Sequence, residues 1–114
     1  MSTIIGYDTF VDVRFKKDLS GNQETLPLLH AAVGMAGEAG EFLDEVKKLW
    51  IYGKPTDLQK LVKEMGDLEF YMQAARNHLG ITREEVIQAN REKLIARYPT
   101  GYTDADAIAR KDVA

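Results

Sequence analysis

Along two long stretches of this chain, apolar residues recur three and four positions apart, the spacing of one face of an α-helix. From about Gln23 to Pro27 through Ile51 or Tyr52, one stripe collects Leu28, Ala32, Met35, Ala39, Leu43, Val46 and Trp50, with Phe42 and Leu49 beside it. Pro27 is tolerated only in the first turn, where its missing N–H is not needed. Gly53-Lys54-Pro55 predicts the end of that helix: a glycine cap, then a residue that cannot continue it. Thr56-Asp57-Leu58-Gln59 reads as a capping box opening a third helix to Leu79, with Gly80 closing it. Its stripe is Leu61, Met65, Leu68, Met72, Ala75 and Leu79. A turn this short predicts that the two helices pack antiparallel.

The flanking segments are shorter. Phe10, Val11, Val13 and Phe15 among charges predict a first helix from Asp8 or Thr9 to Lys17, though their alternation also suits a strand. Residues 1–6 read as loose, and Asp18 to Asn22 as a turn. Thr82-Arg83-Glu84-Glu85 is a capping box that starts a fourth helix running to about Arg97, with Ile87, Leu94 and Tyr98 as core positions. After Pro99 the chain carries a turn and a weak helical tail from Asp104 to Lys111. The expected fold is all-α: an antiparallel bundle of about four helices with a short C-terminal helical tail, no sheet, and one domain over residues 1–114.

The polar positions change the picture. Glu38 and Glu41 stand three apart on the second helix, and Glu64 and Asp67 three apart on the third. Residues three apart share a helix face. Both pairs, and Glu45 with the first, fall at the edge of the apolar stripe and not on the far side. Carboxylates crowded beside a core repel one another and lose hydration unless a cation lies between them. A single such pair is common on solvated helices; two pairs on adjacent helices point to a metal cage. Gly34, Gly37 and Gly40 each cost roughly 0.8–1 kcal/mol against Ala within a helix, which predicts a close backbone approach or room for a ligand.

Oxygen donors without Cys select Mg²⁺, Mn²⁺ or Ca²⁺ over Zn²⁺ or copper. Mg²⁺ is typically held by a few carboxylates together with substrate phosphates. Asn90, Lys93 and Arg97 share one edge of the fourth helix, which suits a polyphosphate as well as plain solvation. Lys48 is placed to reach a phosphate or bulk water, and Tyr71 to join the core or flank the acids. Trp50 reads as core or interface, with stacking on a base as the other option. His30 and His78 read as structural, His30 being the nearer to the acids along the helix.

Composition bounds the rest. With 114 residues, 45% apolar and 29% charged, the chain fits one ordinary globular core. A net charge of −3 argues against a nucleic-acid partner. No apolar run approaches the roughly 20 residues that span a bilayer, and the N-terminus lacks the regions of a signal peptide. The absence of Cys fits a reducing cytoplasm, the expected location.

Gly34-Met35-Ala36-Gly37-Glu38-Ala39-Gly40-Glu41, Lys47-Lys48, Lys63-Glu64-Met65-Gly66-Asp67, Asn90-Arg91-Glu92-Lys93-Leu94 and Arg97-Tyr98-Pro99 together resemble the MazG-like all-α nucleoside triphosphate pyrophosphohydrolases. The resemblance covers about residues 26–112. It implies cleavage of the α–β phosphoanhydride of (deoxy)nucleoside triphosphates, with Mg²⁺ as cofactor (Mn²⁺ the alternative). It implies Glu38, Glu41, Glu64 and Asp67 as metal ligands, with Asn90, Lys93 and Arg97 on phosphates. Tyr71 matches a position beside the nucleotide in some relatives. Gly37 stands where many relatives carry another Glu, which leaves Glu41 or Glu45 to orient the attacking water. The family also implies a homodimer or homotetramer.

Two other readings compete with this one. A di-iron oxidase needs Glu-x-x-His pairs, but Pro27 and Ala75 precede His30 and His78 at that spacing. A helical adaptor, or an inactive nucleotide-binding relative, would keep the fold without turnover.

Overall fold

The computed structural model describes residues 6–110. The expected loose segment before Gly6 and the end of the tail from Lys111 lie outside the described residues. Five helices follow one another: α1 (Tyr7–Asp12), α2 (Leu26–Tyr52), α3 (Leu58–Leu79), α4 (Arg83–Arg97) and α5 (Asp104–Ala109). Among the described residues there is no sheet; Pro99 and Gly101 form one isolated bridge. The expected all-α class holds. The chain divides into two compact units, Met1–Gly80 and Ile81–Ala114.

In the first unit, local chemistry sets the helix ends. Pro27 sits in the first turn of α2, and Gly53 closes the helix in the left-handed region (φ 62°). The start of α3 departs from the Thr56 capping box. Asp57 is the N-cap and accepts from the Gln59 amide at 2.9 Å. The first helix ends at Asp12, well short of Lys17. A helix continued through the polar run Lys16-Lys17-Asp18 would gain no buried face. The chain instead turns after Val13, and Val11 and Phe15 enter the core while Phe10 and Val13 stay exposed.

Facing residues of α2 and α3 fix an antiparallel register. A Cβ at Gly34 would run into the Tyr71 ring, so that glycine is the close approach its position suggested. Eleven residues further along α2, Glu45 bridges to Lys60, eleven residues back along α3. Between these two contacts the same register sets Glu38 opposite Asp67 and Glu41 opposite Glu64.

The core lies at one end of this hairpin, where α1 closes on it. Val11, Phe15, Ala31, Ala74 and Ala75 are buried, with Tyr7, Leu28, Met35, Phe70 and Tyr71 packed against them. This corrects the expected stripe. Ala31 is buried in place of Ala32, and Leu43, Met65, Leu79 and Trp50 are exposed, Trp50 at 81%. The small residues Ala31 and Gly34 let α3 come closest along their own line on α2. That turns α2 so that Glu38 and Glu45 border the seam; Leu28 and Met35 of the expected stripe still reach the core, while Ala32, Ala39, Leu43, Val46 and Trp50 face outward.

In the second unit, the Thr82 capping box forms in both directions: the Glu85 amide donates to Thr82 Oγ1 at 3.1 Å, and the Thr82 amide to Glu85 Oε2 at 2.9 Å. Thr103 caps α5 through the Asp106 amide. Tyr98 and Tyr102 pack with ring centroids 5.2 Å apart. No residue of α4 is buried, so Ile87 and Leu94 are not core positions. Within this unit the short helix α5 packs on α4, and six residues cannot cover the apolar side of a 15-residue helix.

Gly34→Ala is expected to destabilise the protein by about 1–3 kcal/mol through overpacking against Tyr71. Gly37→Ala, whose methyl enters open space, is expected to gain up to about 1 kcal/mol. Equilibrium urea denaturation of the two variants reads the difference.

Candidate metal centre

Glu38 on α2 and Glu64 and Asp67 on α3 each present a carboxylate oxygen, and the three oxygens all lie within 4.8 Å of one another. Three-residue spacing puts Glu64 and Asp67 on one face of α3, and the register brings Glu38 to them from across the seam. Glu38 and Glu64 are half-buried and Asp67 is exposed, so the trio sits in the wall of the hairpin with one side open. Burial, followed by the charges of Asp67, Glu64 and Glu41, holds the Glu38 carboxyl above its ordinary range. Ionising Glu38 is therefore costly beside its acidic neighbours, and a cation between them would offset that cost.

The donor set suits a hard divalent ion. Octahedral oxygens at about 2.1 Å from Mg²⁺ stand roughly 3.0 Å apart when adjacent and 4.2 Å when opposite. Oxygens within 4.8 Å of one another stand near that spacing. All-carboxylate donors fit Mg²⁺, Mn²⁺ or Ca²⁺ in preference to Zn²⁺ or copper.

The other expected site residues have different surroundings. Glu41 is exposed and lies outside the trio, though its charge is felt at Glu38 and at Lys60. Glu45 is 11% exposed at its side chain, and its Oε1 accepts from Lys48 and from Lys60, each at 2.9 Å. Those two bonds hold its carboxyl below the ordinary range. Tyr71 is half-buried in a ring cluster, its centroid 5.2 Å from Phe70 and 6.0 Å from His30. Asn90, Lys93 and Arg97 lie on α4 in the second unit; Asn90 and Lys93 are exposed, and the Arg97 guanidinium stands 5.8 Å over the Tyr98 ring.

Both histidines have structural settings. His30 stacks on Phe15 at 4.4 Å, with its Nδ1 buried and without a hydrogen-bond partner. His78 Nε2 is 2.6 Å from the Glu24 carbonyl oxygen.

Sequence reasoning did not single out Lys60, nor a buried polar network behind the acids. Arg76, 4% exposed, donates to Glu69 Oε1 and to Gln73 Oε1, both at 2.6 Å. Gln73 donates in turn to Asn77, which donates to the Asp8 carbonyl and so fastens α1 to α3. Burial and Glu69 push the Tyr7 phenol upward, with Asp67 adding to the shift and Arg76 opposing it. Glu69, Gln73 and Arg76 recur at four and three, a helical face that was legible. Its polar composition carries no signal of burial.

No helix among the described residues is long and apolar enough to cross a membrane. Compared with known proteins, the chain matches the family model described as the MazG nucleotide pyrophosphohydrolase domain over residues 28–102. No match was found among curated proteins or among solved structures.

Glu38→Gln removes the carboxylate whose ionised form is most disfavoured. A carboxyl with a raised pKa in the folded state costs stability as pH rises above its unfolded value. The variant is therefore expected to melt at a higher temperature than the parent at pH 7.5 in EDTA. It is also expected to lose most of the stabilisation that Mn²⁺ gives the parent. Differential scanning fluorimetry with and without Mn²⁺ reads both changes.

Proposed function

We infer what the chain does from one premise: it belongs to the MazG nucleotide pyrophosphohydrolase family. In this reading it hydrolyses (deoxy)nucleoside triphosphates to a nucleoside monophosphate and pyrophosphate, with Mg²⁺ as cofactor and Mn²⁺ as a substitute. The single observation that carries the reading is the trio of carboxylate oxygens, drawn from two antiparallel helices and gathered within 4.8 Å. Residues 1–114 act as one domain, in the cytoplasm, on free nucleotides for pool cleaning or regulation.

Glu38, Glu64 and Asp67, with Glu41 beside them, would hold the cation. A bound divalent ion neutralises phosphate charge and eases deprotonation of water. Glu41, exposed beside the trio, would orient that water and take its proton. Water oxygen bonds to the α-phosphorus, the bond from that phosphorus to the bridging oxygen breaks, and pyrophosphate leaves with the bridging oxygen. On the family reading, Asn90, Lys93 and Arg97 of α4 are phosphate-contact residues, as is Lys48 of α2, and Tyr71 flanks the nucleoside.

The outward apolar face supports a homodimer or homotetramer. Leu43 (62% exposed), Trp50 (81%), Leu58 (69%) and Met65 (59%) line the hairpin away from the core. Water-facing apolar area of this extent is expected to be covered by a second copy.

A panel of nucleoside triphosphates incubated with Mg²⁺ is expected to yield pyrophosphate and monophosphate in equal amounts. Release of single orthophosphate would overturn the assigned bond. Glu64→Gln and Asp67→Asn are each expected to lower kcat about 10²-fold or more at unchanged helical circular dichroism. Sedimentation velocity at micromolar concentration is expected to show a dimer or tetramer; a monomer would leave the apolar face unexplained.

A further inference from the structure

The carboxylate trio accounts for the middle of the seam between α2 and α3. One helical turn beyond it, Lys48 and Lys60 converge on a single oxygen of Glu45, each at 2.9 Å. The two ammonium nitrogens are therefore at most twice 2.9 Å, or 5.8 Å, apart. Two like charges at that range repel, and one carboxylate neutralises only one of them. Each ammonium carries three N–H donors and spends one on Glu45. Both lysine side chains are half exposed, at 50%, which leaves the ammonium groups accessible from solvent.

The place of this cluster matters as much as its charge. Glu45 follows Glu41 by four residues, and Lys60 precedes Glu64 by four. At 1.5 Å per residue the cluster lies about 10 Å along the seam from the level of Glu38 and Asp67 and about 6 Å from that of Glu64. The charges of Glu64 and Glu41 act on Lys60 from that level. A polyanion held at the carboxylates through a cation and extended along the seam meets the two ammonium groups next.

We propose that Lys60 and Lys48 form a cradle for the pyrophosphate end of the substrate, and that Glu45 is a positioning residue that holds them there. The proposal rests on the nucleotide-hydrolysis reading and adds to it the group that receives the leaving phosphates. Glu45 then acts through its lysines and not on water. An ornamental surface ion pair would contribute only about 0–1 kcal/mol of stability and would not need two cations for one acid.

The test is calorimetric titration of inorganic pyrophosphate into the full chain in Mg²⁺, with Lys60→Gln, Lys60→Arg and Glu45→Gln compared. Lys60→Gln is expected to weaken pyrophosphate about tenfold, the loss of one charge-assisted hydrogen bond, while Mn²⁺ uptake and nucleoside monophosphate affinity stay unchanged. Lys60→Arg is expected to keep most of the affinity. Glu45→Gln gives a sign test. Removing a negative charge alone would tighten pyrophosphate binding; loss of positioning weakens it, here by about threefold.

Equal pyrophosphate affinity in Lys60→Gln and the parent, or tighter binding in Glu45→Gln, overturns the proposal. A parent chain that binds no pyrophosphate overturns it as well. Turnover separates the two levels: an active parent with an indifferent Lys60→Gln sinks only the cradle. A parent inactive on every nucleotide, yet tenfold tighter than Lys60→Gln on pyrophosphate, sinks the reaction and keeps the cradle.

Discussion

The seam between α2 and α3 keeps one antiparallel register over about three helical turns, and everything else at the site depends on it. At one end the Tyr71 ring lies on Gly34; at the other, Glu45 accepts from Lys60. These contacts leave Glu38 no choice but to face Glu64 and Asp67. A slip of one residue would turn each carboxylate by about 100° and scatter the trio. A bulky residue at position 34 would force the same rotation.

That register explains an unusual division of the hairpin. The end under α1 is apolar and aromatic, with Phe15, Phe70, Tyr71 and His30 clustered beside Ala31 and Ala74. The middle is acidic, and the far end is a salt-bridged clamp. Seam positions given to Glu38, Glu45 and Glu64 are positions where a purely structural hairpin would put Leu or Ala. The resulting electrostatic cost appears in the raised Glu38 carboxyl. It is tolerated because the aromatic end and the network from Arg76 through Asn77 to α1 hold the helices together. Stability and binding chemistry are thus separated along one pair of helices.

The helices themselves were legible in the sequence, because Pro27, Gly53, Gly80 and the Thr82 capping box are punctuation that acts locally. The spacing of Glu38, Glu64 and Asp67 was legible for the same reason. Helix rotation was not. Periodicity in α2 favoured the face of Ala32, Leu43 and Trp50, but Gly34 and Ala31 draw α3 onto a neighbouring line. Small residues decide close approach, yet a hydrophobicity count gives them little weight. Lys60 and Arg76 were missed because their partners, Glu45 on the other helix and Glu69 within a polar face, become visible only once the register is known.

The central claim is that this register builds a divalent-cation site from carboxylates of two helices. Electron paramagnetic resonance of Mn²⁺ tests it most directly, since the free-ion signal falls as the ion is bound. The parent chain is expected to take up at least one Mn²⁺ per protomer, and Asp67→Asn to leave the signal close to that of buffer. Equal uptake by both, or no uptake by the parent, would contradict the account.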